Sequence, residues 1–278
     1  MRWNRAAEEA IAKVPFFIRR RVKKKVEQDA ESRGSAEVTL ENIRTVQQNF
    51  LKNMEDDIKG YQLENCFGAS GCPNRIPTGN NFIATLEEKL RSRDLKTFLK
   101  SKVDGPLKFH HEFRVSVSDC PNACSRPQVA DLGIVAAVHP TLGEAECSRC
   151  GVCAETCIER AVTMTPEMSV PKIDFDRCLF CGHCIRACPT ETLVRGREGF
   201  RIMIGGKLGR RPRLASEIPR IFSKEETFRL IDLTLDFYFE QNTKGERFGE
   251  ILERVGIQEM EQFLTNTSSH SNSSPIFR

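Results

Sequence analysis

All twelve cysteines of this 278-residue chain fall into three sets of four. Cys147, Cys150, Cys153 and Cys157 read C-x2-C-x2-C-x3-C, and Cys178, Cys181, Cys184 and Cys188 repeat the pattern thirty-one residues later. The other four are a C-x5-C pair, Cys66 and Cys72, and, forty-eight residues on, a C-x3-C pair, Cys120 and Cys124. Three cysteines at x2 spacing let one tight loop offer three thiolates to a cube of iron and sulfur, with the fourth thiolate drawn from elsewhere. Structural zinc prefers two CxxC pairs. Long-range disulfides would not cluster cysteines with only two or three residues between them, and a chain of this size does not need such staples. The chemistry these residues point to is one-electron transfer.

Bulk properties narrow the setting. The hydrophobic content of 39% is ordinary for a globular protein, and no apolar run approaches the length of a membrane span. Residues 1–25 are amphipathic and basic, with no apolar signal segment, so cytoplasm is the expected compartment. A net charge of +4 is mild and does not call for nucleic acid.

The elements that must position the thiols follow from periodicity. Trp3–Lys13, Phe16–Ser32 and Leu40–Met54 read as helices. Pro15 separates the first two, Gly34 stops the second, and Thr39 with Asn42 forms a weakened capping box for the third. The run Arg19, Arg20, Arg21, Lys23, Lys24, Lys25 would be the wet face of the second helix. Residues 60–82, rich in Gly, Asn and Pro, read as loop, and Phe82–Leu99 as a charged helix. Phe109–Ser118 alternates apolar and polar residues and reads as a strand leading into Cys120. Leu132–Val138 and Phe200–Ile204 read as further strands, with short strand pieces at Thr163–Thr165 and Lys172–Phe175. Lys224–Gln241 and Phe248–Val255 read as helices, and the Ser/Asn-rich stretch Asn266–Pro275 as disordered.

The twin runs resemble those of bacterial ferredoxins, where the last cysteine of each run ligates the other cluster. That resemblance implies one cluster on Cys147, Cys150, Cys153 and Cys188, and another on Cys178, Cys181, Cys184 and Cys157. Pro189 follows Cys188 as usual, whereas Ile158 follows Cys157, a small departure. His183, inside the second run, reads as a neighbour of the site rather than a ligand.

Residues 64–75, ENCFGASGCPNR, and 113–128, FRVSVSDCPNACSRPQ, resemble the siroheme-cluster motifs of sulfite and nitrite reductases. So do FRIMIGGKLGRRPRL at 200–214 and KGERFGEILERVG at 244–256. The resemblance implies a third [4Fe-4S] cluster on Cys66, Cys72, Cys120 and Cys124. It implies siroheme beside that cluster, with Cys124 also ligating the siroheme iron and Asn122 near the macrocycle. Siroheme carboxylates and an anionic substrate both need basic groups. Arg114 and Lys207 are the catalytic candidates beside Cys124, and Arg75 and Arg126 the cofactor-binding ones. Lys108, Arg210 and Arg211 lie near the same motifs. Gly205, Gly206 and Gly209 could cradle a carboxylate or could simply make a turn.

Trp3, VPFFIRRRVKKK at 14–25 and TLENI at 39–43 resemble the small C-terminal domain of the light-independent protochlorophyllide reductase B polypeptide. The implied fold class is α+β, with a helical module over 1–54 and a siroheme-cluster domain over 55–138 and 198–264. A two-cluster ferredoxin domain is inserted over 139–197, and a disordered tail follows over 265–278. The implied function is reduction of a small oxyanion, sulfite or nitrite, with electrons from a donor protein relayed through the ferredoxin clusters. The alternative is an electron-transfer subunit with three clusters and no siroheme. The basic N-terminal half of such reductases has no counterpart before Cys66, so a second subunit or a second copy of the chain is the expected source of those groups.

Overall fold

The computed structural model describes residues 1–79 and 81–268. They form two compact units, one of Met1–Ile58 with Val103–His110, the other of Lys59–Lys102 with the residues from His111 onward.

The first unit holds β1 (Arg2–Trp3), α1 (Arg5–Ala12), α2 (Phe16–Ser32), β2 (Glu37–Val38) and α3 (Leu40–Asp57). Trp3 is not helical as its periodicity suggests. It lies in β1, which pairs in parallel with β2, because Asn4 caps α1 by accepting from Ala7 N at 2.9 Å. The Trp3 indole N–H donates to Glu27 at 2.8 Å, and its ring packs on a core of Ala7, Val26, Ala30 and Val38. Thr39 and Asn42 form the expected capping box. Within the basic run, Arg20, Arg21 and Lys23–Lys25 are exposed. Arg19 instead turns back to donate to the carbonyls of Ala12 and Val14, closing the end of α1.

The second unit is built on a five-stranded mixed sheet in the order β3-β4-β5-β8-β9. These strands are β3 (Tyr61–Asn65), β4 (Phe113–Ser118), β5 (Leu132–Leu142), β8 (Leu193–Ile204) and β9 (Ser216–Phe222). The first three run parallel, and β8 and β9 are antiparallel to their neighbours. Phe113, Val115 and Val117 bury one face of β4, while β5 is buried on both faces from Leu132 to Val138, as a central strand must be. The helices α4 (Phe82–Ser92), α5 (Leu95–Lys102), α8 (Lys224–Gln241), α9 (Phe248–Val255) and α10 (Ile257–Ser268) complete this unit. Phe82 stacks on Phe200 with ring centroids 4.3 Å apart, and Phe113 packs against Tyr238 and Phe248.

Several boundaries differ from the sequence reading. Residues 61–65 form β3 rather than loop; the alternation of Tyr61, Leu63 and Asn65 with Gln62 and Glu64 was hidden among turn formers. β4 starts at Phe113 rather than Phe109. The buried Glu112 carboxylate accepts from the backbone of Lys59 and Gly60 and from the Gln62 side chain, fixing the start of both strands. The helix expected over Phe82–Leu99 is two helices, broken where Asp94 adopts φ +43°. The strands β5 and β8 extend well past the expected ends, β9 was not foreseen, and α10 carries helix through 266–268 of the expected disordered tail. The rest of that tail lies outside the described residues.

The extra length of β5 and β8 has a purpose. Beyond a bulge between Val138 and Pro140, the pairs Pro140↔Arg195, Thr141↔Val194 and Leu142↔Leu193 make a two-stranded stalk. The twin cysteine runs hang from it, with α6 (Val152–Glu155), the antiparallel pair β6 (Val162–Thr163) and β7 (Lys172–Ile173), and α7 (His183–Ala187). Among the described residues no helix is long and apolar enough to cross a membrane.

Candidate functional site

Parallel pairing of β3 with β4 brings the split cysteine pairs together. In register, Asn65 faces Val117, so Cys66 and Cys120 leave the sheet side by side at the carboxyl ends of two parallel strands. Cys66 N donates to Val117 O at 3.0 Å, extending the ladder by one bond, and Asp119 N donates to Cys66 Sγ at 3.3 Å. The two loops then enclose a cavity of about 100 Å³ lined by Cys66, Cys72, Cys120 and Cys124. Cys120 is buried and Cys124 exposed. Burial, and then the nearby thiols of Cys72, Cys124 and Cys66, push the Cys120 thiol up, against a hydrogen bond from the Asn122 backbone.

The loop that carries Cys120 and Cys124 is stitched to its strand. Ser125 Oγ donates to Val117 O at 2.7 Å, and Ser116 Oγ donates to Ser125 O at 2.6 Å. These bonds satisfy the buried hydroxyls of Ser116 and Ser125. Arg75 pairs with Asp119 at 3.1 Å on the edge of the same cavity.

The twin runs make two further cavities. One is lined by Cys147, Cys150, Cys153 and Cys188, the other by Cys178, Cys181, Cys184 and Cys157. Each cavity therefore takes three thiols from one run and the last thiol of the other. The electrostatics follow the same grouping. Burial, then Cys178, Cys181 and Cys157, push Cys184 up to about 12; burial, then Cys188 and Cys147, raise Cys153. Backbone N–H groups point at several sulfurs, from Arg149 to Cys147, Ala161 to Cys157 and Phe180 to Cys178. Such donors favour thiolate and sulfide charge over neutral thiol. Among the described residues, no three His, Cys, Asp or Glu side chains converge on a point at single-ion distance; the quartets ring cavities instead.

The basic candidates are dispersed. Arg114 and Arg126 line a smaller cavity of about 60 Å³ over β3 and β4, with Glu64, Ser116, Ser125 and Leu208. The Arg114 Nε is buried and has no hydrogen-bond partner, while Arg126 pairs loosely with Glu64 at 3.6 Å. Lys207 is buried and lies 3.3 Å from both Glu250 and Glu253. Gly205 N is already spent on Asp131 O, and a side chain on Gly206 would strike the carbonyls of Gln128 and Ala130, so close packing explains this turn. Arg210 and Arg211 are exposed, and Lys108 belongs to the other unit. His183, at the start of α7, is held below the usual imidazole range by burial and by Arg186.

Two supporting groups escaped the sequence reading. Asp131, fully buried, accepts from Arg114 N, from Phe248 N and from the Arg247 guanidinium at 2.6 Å, tying α9 to the root of β4. Asn74 lies at the third quartet's cavity and also at that of Cys178. The first carries no signal in sequence, and the second only its place two residues after Cys72.

Residues 66–271 match the nitrite and sulphite reductase 4Fe-4S domain, and residues 3–46 match the proto-chlorophyllide reductase 57 kD subunit. A coenzyme F420-dependent sulfite reductase of Methanocaldococcus jannaschii is 34% identical over 69% of this chain and 28% of its own length. The beta subunit of a dissimilatory-type sulfite reductase of Nitratidesulfovibrio vulgaris is 28% identical over 51% of this chain and 43% of its own. A subunit of the anaerobic sulfite reductase of Salmonella typhimurium is 26% identical over 44% of this chain and 36% of its own. The chain thus spans less than half the length of these relatives. The crystal structure of dissimilatory sulfite reductase I superposes with a TM-score of 0.51 at 18% identity, over 83% of this chain and 59% of that one, a likeness of fold. By the extent of the domain match and the motifs it encloses, the chain belongs to the nitrite and sulphite reductase 4Fe-4S domain family.

Proposed function

We propose that this chain is an iron–sulfur oxidoreductase component that carries three [4Fe-4S] clusters and delivers electrons to a siroheme-coupled centre for reduction of a small oxyanion, sulfite or nitrite. The observation that carries the reading is the grouping of all twelve thiols, as three quartets, around three cavities. The donor set fits: each cavity is lined by a complete quartet of thiols, with backbone N–H groups aimed at sulfur.

The fit to siroheme rests on fewer groups. Cys124 is exposed on the rim of its cavity, where a second metal could share its sulfur. The orphaned Nε of Arg114 and the exposed Arg126 suit carboxylates, while Lys207 would reach an anion only by leaving Glu250 and Glu253. When bound, siroheme supplies the iron that takes up the oxyanion for a six-electron reduction. The chain's own part is to hold Cys124 on a loop locked to β4 by Ser125, and to gather Arg114 and Arg126 at a cavity that Ser125 also lines.

The 60 Å³ cavity at these arginines is far smaller than a tetrapyrrole, which favours a site completed by a second subunit or a second copy of the chain. It also keeps alive the reading of an electron-transfer subunit without siroheme. Anaerobic purification with siroheme synthesis intact separates the two. Three four-iron clusters give about twelve irons per chain, and siroheme adds one more with its own Soret and red bands. A full cluster complement without those bands leaves the electron-transfer reading; an iron content well below twelve removes both.

A further inference from the structure

The first unit holds no cysteine, and the charges along its α2 are unevenly matched. Toward its C-terminal end the helix pairs Arg33 with Asp29 at 3.0 Å, as α1 pairs Arg5 with Glu9 at 3.1 Å. The first half of α2 carries Arg20, Arg21, Lys23, Lys24 and Lys25, and among the described residues none of the five makes an ion pair. Arg20 and Lys24, and likewise Arg21 and Lys25, are like charges four residues apart, which repel along the helix surface. The helix also starts at Pro15 with no side-chain cap and no acidic residue in its first turn, so its N-terminal dipole adds to the positive field. An external anion relieves both penalties.

Part of this field is gathered in a groove. Phe16, Arg19, Arg20, Lys23, Lys24 and Glu27 line an open groove of about 550 Å³. Its one carboxylate, Glu27, accepts from the Trp3 indole N–H at 2.8 Å, and Lys23 Nζ stands 5.2 Å over the centre of the Trp3 ring. Phe16 is 83% exposed. From Phe16 to Glu27 the helix rises about 16 Å, the reach of about five extended residues and far longer than a small inorganic anion. A bilayer matches poorly, because Val26 and Ala30, the apolar face of α2, are buried in the unit's own core and are not free to meet lipid. Nucleic acid also matches poorly, because Glu27 would face its phosphates.

We infer that this groove docks an acidic segment of a partner protein, about five residues long, whose carboxylates meet Arg20, Lys23 and Lys24 and whose apolar side chain packs on Phe16. The docking needs no cluster, so it stands or falls separately from the electron-transfer reading.

Trp3 is the single tryptophan of the chain and touches the groove through Lys23 and Glu27, so its emission reports on occupancy. The full chain is titrated with a copolymer of glutamate and tyrosine, with polyglutamate, with phosphatidylglycerol vesicles and with poly(U). The copolymer should shift the Trp3 emission saturably, bind more tightly than the other three, and lose affinity as salt rises. Arg20→Glu with Lys24→Glu should weaken it by more than about tenfold. Arg21→Glu with Lys25→Glu, outside the groove, should weaken it far less. All four side chains are exposed, and circular dichroism should show the fold retained in both double variants. Phe16→Ala should reduce the affinity for the copolymer to that for polyglutamate. Equal weakening in the two double variants would mean diffuse surface charge and overturn the groove. Tighter binding to vesicles or poly(U), or no response to the copolymer at low salt, would overturn the acidic partner.

Discussion

The twin cysteine runs and the split pairs solve one problem, gathering four thiols, by opposite means. Each twin run is a local loop with two or three residues between its thiols, and the two runs share one small core of Cys153, Val162, Cys184 and Leu193. The split pairs depend on topology. Cys72 and Cys120 lie forty-eight residues apart and meet only because β3 and β4 pair in parallel with one register. A parallel ladder is non-local and costs loop-closure entropy before it gains contacts. The comparison teaches that the relay should survive damage to the sheet that abolishes the third site.

The largest expected effect breaks the comparison at the metal. Cys124→Ser should empty or perturb the split-pair site and lower the iron content from about twelve to about eight per chain. The absorption and resonance signals of the ferredoxin-like clusters should persist. Simultaneous loss of all three clusters would show that the sites assemble as one.

A step down, Arg247→Ala leaves the buried Asp131 carboxylate without its charged partner. Burial already raises this carboxyl, with Arg247 the chief counterweight. Breaking a buried pair on one side typically costs about 3–5 kcal/mol. Because Asp131 also holds Arg114 N at the start of β4, chemical denaturation should show the loss and the split-pair iron should leave first. Equal loss of iron from every site would erase the contrast between local and topological assembly.

How far each region could be read from sequence follows from the same contrast. The twin runs declare their ligands because spacing alone fixes the loop. Helices α2, α8 and α9 declare themselves through period, although the Ser223–Glu226 box that starts α8 went unread. The sheet was only half legible. Phe109 looks like part of β4, but Glu112 ends the turn before it, and Tyr61–Asn65 is masked by the glycines and asparagines that follow. The long β5–β8 stalk was invisible because Pro140 and Gly196 look like strand breakers, although a bulge accommodates them at the edge of the ladder. The Asp131–Arg247 tie spans 116 residues, and no local pattern encodes it.

Gly182→Ala probes the seam between the two regions. At φ +71°, with Val138 Cγ1 2.6 Å from the new Cβ, the alanine costs backbone strain on the order of 1–3 kcal/mol. The strain falls between the second run and β5, so the resonance coupling between the Cys178 and Cys66 clusters should weaken before either cluster is lost. Unchanged coupling with lowered stability would place the seam elsewhere.

The smallest expected effect lies at the turn that leads into α9, on the sheet side of the comparison. Burial works against the Glu246 charge. Arg254, whose guanidinium lies 3.0 Å away, and the Thr243 hydroxyl and backbone N–H outweigh it and hold the carboxyl below the usual range. A carboxyl whose folded pKa is depressed adds stability above its unfolded pKa of roughly 4.3, and that stability is lost as pH falls through the folded value. Glu246→Gln should therefore lower stability at neutral pH by less than about 1 kcal/mol, and the gap between variant and wild type should close on acidification below the ordinary carboxylate range. Denaturation midpoints across that range test the sign. Because this turn also receives Tyr238 Oη–H and Asn242 Nδ2–H on the Glu246 carbonyl, the change should register in the sheet-bound unit's unfolding while the iron of the twin runs stays put. A gap that widens toward acid would mean that burial, not Arg254, governs this carboxyl.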